Sequence, residues 1–165
     1  MKNMRAKDVQ RFFERMATDW DTMRLAYYDE RVIEKMAEIS GVGEDSEAAD
    51  VGTETGFVAA DARCLPNYVP EPVGFSSFAN TFHVVPNKTD LAREVLAPRG
   101  RVAVVNWHPT PRDETRILGQ PRGPATEMRL SLEQTAAKVV PAGFELEKVA
   151  DLPPYHYGAV FVWHG

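Results

Sequence analysis

Seven consecutive residues, Arg101-Val102-Ala103-Val104-Val105-Asn106-Trp107, constrain the fold more than any other segment of this chain. A nearly unbroken β-branched and apolar run of this kind has no polar face to turn toward water. It predicts a central strand covered on both sides, the habit of parallel sheets in α/β domains. The flanking segments agree. Thr89–Leu96 reads as a helix ended by Pro98 and Gly100. Ser131 with Gln134 three residues on is a capping-box signature for a helix running to about Val140, with Gly143 as its stop. Phe144–Val149 and Ala159–Trp163 read as two strands joined by a Pro-Pro-Tyr loop, expected to pair as an antiparallel hairpin at one side of the sheet. A shorter strand is expected around Phe75–Asn80. Strand, helix, strand, helix, strand is the pattern of an open α/β sheet.

The first third of the chain has helical periodicity. Phe12, Phe13 and Met16 recur at helical spacing, and so do Val32, Ile33, Met36 and Ile39, with Gly41 and Gly43 as a stop. Both stripes read as faces packed on a core. Residues 46–51 (SEAADV) sit where a first strand is expected, although Ala and Glu are poor strand formers. Asp61 to Gly74 is loop-like, punctuated by Pro66, Pro70 and Pro72. A length of 165 residues suffices for one core and is short for two, and 44% hydrophobic residues against 26% charged ones can offset chain entropy. One domain over 1–165 is expected, with 1–43 a helical N-terminal cap and 44–165 carrying the sheet and its helices.

The net charge of −5 and the scattered Lys and Arg residues argue against a nucleic-acid partner, whose phosphates need a basic face. Cys64 is the single cysteine, so no internal disulfide can form, and a reducing, cytoplasmic compartment fits. Met1–Gln10 is polar and the apolar runs are short, so neither a signal-peptide core nor a membrane span is expected. His83, His108, His156 and His164 are too scattered to predict a metal site.

The segment richest in chemistry is Asp50-Val51-Gly52-Thr53-Glu54-Thr55-Gly56. An acidic residue followed by glycines two and six positions on, after a strand, suits a small-molecule cofactor. Glycines let the backbone approach a ligand, and helix N-terminal amides then face it. The same residues also serve a plain tight turn.

Several segments in order resemble the class I S-adenosylmethionine-dependent methyltransferases, in their small-molecule branch. Phe12–Ala17 with Trp20-Asp21 resembles the family's lead-in, and Asp50–Phe57 its glycine-rich loop. Asp61-Ala62-Arg63-Cys64-Leu65-Pro66 resembles the segment whose Asp faces the adenine. Ala79-Asn80 with His83–Pro86 resembles the end of the fourth strand, which lines the cofactor and substrate pocket, and Leu96–Arg101 the turn before the fifth. The resemblance implies an open, mostly parallel Rossmann-like methyltransferase sheet with N-terminal helices. It implies S-adenosylmethionine held by Asp50, Gly52, Glu54, Gly56, Asp61, Ala62 and Asn80. The activity it implies is methyl transfer to a small molecule by direct displacement, where positioning does most of the catalysis. If the nucleophile must lose a proton, His83 or His108 is the candidate base. Trp20, Tyr27 and Tyr28 would form a lid over the cofactor or pack in the core. Tyr155-His156-Tyr157, read as a late loop, would wall a substrate pocket or form a surface aromatic cluster.

Two departures from the family bear on function. Glu54 stands where the family usually has glycine, in space that the methionine end of the cofactor would use. Only four residues, Phe57–Ala60, separate Gly56 from Asp61, where a helix, strand, helix and strand would need roughly 30. That stretch would carry strand two and the acid that grips the ribose hydroxyls. Losing a hydrogen bond to a charged group, about 1.5–3 kcal/mol, weakens binding roughly tenfold to a hundredfold. Weakened cofactor binding is therefore expected. The family's strand order is three, two, one, four, five, seven, six. Without three and two, about five strands remain, and strand one near Glu47–Val51 becomes an edge. Exposed edges invite pairing, which predicts a homodimer. The alternative is a monomer whose edge is covered by Leu65–Pro72 and the N-terminal helices. Two other functions stay open: a non-catalytic, methyltransferase-like domain that binds small molecules or proteins, and a nicotinamide-binding oxidoreductase. The latter also lacks the ribose acid it would need.

Overall fold

The computed structural model describes residues 22, 25–26, 28–43, 46, 48–50, 67, 69, 71–83 and 87–165. Three helices lie among them: α1 (Glu30–Ser40), α2 (Lys88–Val95) and α3 (Leu132–Val139). The strands are β1 (Ala48–Asp50), β2 (Val73–Ala79), β3 (Leu96–Trp107), the short β4 (Arg116–Ile117) and β5 (Gln120–Pro121), β6 (Phe144–Leu152) and β7 (His156–Trp163). The main sheet has the order β1-β2-β3-β7-β6, and β4 pairs with β5 in a separate ribbon. Strands β1, β2 and β3 are parallel, while β7 is antiparallel to both β3 and β6. Four of the five strands thus run the same way. This is the order one, four, five, seven, six that the shortened family pattern implies, with the expected hairpin at one side.

β3 is central because its sequence allows nothing else. Val102 to Trp107 are all buried, and alternate residues serve two layers. Val102 and Val104 join Phe78, Ala92, Val139, Ala159 and Phe161 in the core shared with α2 and α3. Ala103 and Val105 join Val32, Ile39, Leu152 and Val160 beneath α1. Local signals set the helix ends. Asp29 caps α1 by accepting from the Val32 N–H at 3.3 Å, and Gly41, at φ 70°, closes it in the left-handed conformation. Both halves of the Ser131–Gln134 capping box form, at 3.2 and 2.9 Å.

The structure corrects several boundaries. β3 begins at Leu96 rather than Arg101, because residues 97–100 bulge while Leu96 still pairs with Val73. Gly100 is required inside that bulge, since a Cβ there would lie 2.8 Å from the Ala97 carbonyl oxygen. Ile33 is 51% exposed, so the buried stripe of α1 is carried by Val32 and Ile39. The reading of Tyr155-His156-Tyr157 as a late loop is overturned for two of its members. His156 and Tyr157 open β7 and are buried, at 0% and 3% exposure. The hairpin ladder runs on to Leu152↔His156, so these side chains must face one core layer or the other. No helix among the described residues is long and apolar enough to cross a membrane.

Candidate active site

The carboxyl ends of β1, β2, β3 and β6 share one rim of the sheet, where open α/β sheets bind ligands. The sequence-predicted site residues that lie among the described ones collect there. Asp50 ends β1, paired with Ser77 of β2. Asn80 follows β2, His83 lies in the turn after it, and His108 follows β3. Gly52, Glu54, Gly56, Asp61 and Ala62 lie outside the described residues, as do Phe57–Ala60, Trp20 and Tyr27.

Asn80 takes the left-handed conformation at φ 56°, which Asn tolerates better than most residues. Its N–H donates to the Val105 carbonyl at 2.8 Å, fixing it beside β3. Its side-chain oxygen is buried without a hydrogen-bond partner among the described residues. Such an orphaned acceptor costs about 1–3 kcal/mol until a donor arrives. His83 is half-buried, and burial, then the nearby Lys88, hold its pKa below the ordinary histidine range. The Lys88 ammonium in turn sits 5.0 Å over the Phe82 ring.

At the end of β3 the backbone N–H of His108 donates to the Tyr155 carbonyl at 2.8 Å. Its Nε2 lies 3.0 Å from Asp151 Oδ1, and its ring 5.6 Å from that of Tyr157. Trp107 is held on several sides, by Tyr155 stacked at 5.9 Å, His156 at 4.3 Å and the Arg129 guanidinium at 5.0 Å. Arg129 organises the segment after β3, donating to the carbonyls of Thr110, Arg122 and Pro124 and to Thr115 Oγ1. Gly123, at φ 84°, packs against this group, and a Cβ there would come within 2.9 Å of the Trp107 ring. His156 has its pKa pushed down to about 3, by burial first and then by His108 and Arg129. It is therefore neutral near pH 7 and too deeply buried to exchange protons with a ligand. Tyr28, read as lid or core, meets His156 edge-on at 5.3 Å and packs on the α1-side core.

Between α1 and the β6–β7 turn lies a cleft of 550 Å³, lined among others by Asp29, Arg31, Val32, Asp151, Leu152 and Pro154. Sequence reasoning missed Asp151 and Arg129. Neither carries a local signal: Asp151 stands 43 residues from His108, and Arg129 looks like any loop arginine until its carbonyl partners assemble.

No protein-family model and no curated protein matches the sequence. Solved structures do. A SAM-dependent methyltransferase from Aquifex aeolicus superposes with a TM-score of 0.66 over 90% of this chain and 97% of its own, at 21% identity. The chain has the fold of the S-adenosylmethionine-dependent methyltransferases. Burkholderia thailandensis 1,6-didemethyltoxoflavin-N1-methyltransferase, solved with 1,6-didemethyltoxoflavin and S-adenosylhomocysteine, shares this methyltransferase fold at a TM-score of 0.61. The match covers 100% of this chain and 92% of that one, at 10% identity. A protein from Sulfolobus solfataricus described as a type 11 methyltransferase is 27% identical over 58% of this chain, which spans about half (53%) of its length.

Proposed function

We propose that this chain binds S-adenosylmethionine at the carboxyl ends of β1 and β2 and transfers its methyl group to a small molecule, with cofactor affinity reduced by Glu54. Asn80 carries the reading. It stands at the end of β2 with a buried oxygen that no donor among the described residues satisfies. S-adenosylmethionine brings N–H donors and a positive sulfonium, either of which supplies what that oxygen lacks. The residues present therefore fit the group at this end of the site. The methyltransferase fold, and the S-adenosylhomocysteine bound in the Burkholderia thailandensis relative, support the same reading. Bound S-adenosylmethionine supplies an activated methyl group. The chain's part is to hold an acceptor in line with it and to keep water out.

Calorimetric titration with S-adenosylmethionine tests this. Binding weaker than about 1 μM is expected for the unaltered chain, tightening in Glu54→Gly. Asn80→Gly keeps the left-handed backbone and removes the acceptor, so it should weaken binding about 2- to 10-fold. Absence of binding by both the unaltered chain and Glu54→Gly overturns the reading.

A further inference from the structure

We infer that His108 and Asp151 form a proton-accepting pair for methyl acceptors that carry an O–H or N–H at the attacking atom. The inference rests on the methyltransferase reading and names the substrate class of that same site. The sheet assembles the pair. His108 follows β3, Asp151 is the penultimate residue of β6, and β7 runs between them. The backbone N–H on the Tyr155 carbonyl sets the main chain at His108, and two contacts orient the imidazole: its Nε2 3.0 Å from the largely exposed Asp151 carboxylate, and its ring beside Tyr157. A carboxylate on one ring nitrogen selects the tautomer with the proton there and leaves a lone pair on the other. In His108 that other nitrogen is Nδ1. It has no hydrogen-bond partner among the described residues, and the side chain is 38% exposed, open to a ligand.

Position supports the role. Asn80 is bonded to β3 through the Val105 carbonyl, and neighbouring strands lie about 4.8 Å apart. His108 lies on the β3 side of Asn80, three residues past that carbonyl toward the rim. The other histidines are less suited. His83 has no orienting carboxylate among the described residues, His156 is sealed in the core, and His164 pairs with Glu145 at the opposite rim. The groups facing His108 are Asp151 from β6 and Tyr157 and His156 from β7. Arg129, from the segment after β3, acts on His156 alongside it, and Glu133 of α3 acts on Tyr157.

In the step, the acceptor's lone pair forms the bond to the methyl carbon. The carbon–sulfur bond breaks with its electron pair going to sulfur, leaving S-adenosylhomocysteine, and the acceptor's proton passes to Nδ1 and then to water. His108 is the proton acceptor and Asp151 a positioning residue.

The test follows S-adenosylhomocysteine release from S-adenosylmethionine with three probe acceptors: catechol, histamine, and dimethyl sulfide, which attacks without losing a proton. Turnover of catechol or histamine is expected, with kcat falling on the acid side. His108→Gln should remove that limb and lower kcat about 100-fold or more with little change in KM. Asp151→Asn should act in the same direction and less. Unchanged kcat in both variants, turnover of dimethyl sulfide alone, or no release with any probe from a chain that binds S-adenosylmethionine overturns the pair's role. Failure of S-adenosylmethionine to bind, read by calorimetry, overturns the methyltransferase reading instead.

Discussion

His156 lies fully buried between Trp107 at 4.3 Å and Tyr28 at 5.3 Å, and its pKa of about 3 has a consequence for stability. In the unfolded chain the same imidazole titrates near 6.5. Between pH 6.5 and about 3 the unfolded state binds a proton that the folded state refuses. Stability from this group is therefore complete above the unfolded pKa and is lost as the pH falls. The expected loss is about 1.4 kcal/mol between about pH 7.5 and pH 5.5, a window above the carboxylate range. His83, also depressed by burial, adds loss of the same sign. Urea unfolding at the two pH values measures it, and His156→Phe should have a shallower pH dependence. An identical dependence in the variant would show that His156 is not the group responsible. None of this was legible in the sequence. A histidine after Pro-Pro-Tyr reads as loop, and only the ladder to Leu152 and Trp107 places it in the core.

At the scale of elements, α3 is held to the sheet by a polar contact as well as by Val139. The Tyr157 hydroxyl lies 2.7 Å from Thr135 Oγ1 and donates to the Leu130 carbonyl at 3.0 Å, while Asn106 Nδ2 donates to both hydroxyls at 3.3 Å. Three elements, β3, β7 and α3, thus share one buried network. Tyr157→Phe should destabilise the chain by about 1–3 kcal/mol, because it leaves buried donors without an acceptor while keeping the ring. Chemical denaturation gives the difference, and a loss within error of zero would mean that water replaces the hydroxyl. The start of α3 was legible, since Ser131 and Gln134 act within one turn. Its docking was not, since Asn106 and Tyr157 lie far from it in sequence. The same holds for Arg129, whose acceptors come from four separate loop residues.

For the whole molecule, the sheet order leaves β1 at one end among the described strands and β6 at the other. β6 breaks its register between Leu146 and Lys148, and the Glu147 carboxylate is clamped by Arg101 at 2.7 and 3.0 Å, devices that discourage further pairing there. β1 pairs through three residues and has no such device described. A two-fold dimer through the β1 edge is therefore expected, and light scattering should give twice the 18.5 kDa of one chain. A stable single-chain mass at high concentration counts against it. The sequence by itself determined the elements whose signals are local: the apolar run of β3, the capping box of α3, the glycine stop of α1 and the hairpin near the C-terminus. Its ordered family motifs also pointed to this sheet order. The tertiary structure alone decided which side chains meet. His108 with Asp151, Trp107 with Arg129, and His156 within the core are contacts across strands and loops, and they exist only once the non-local pairings have closed around β3.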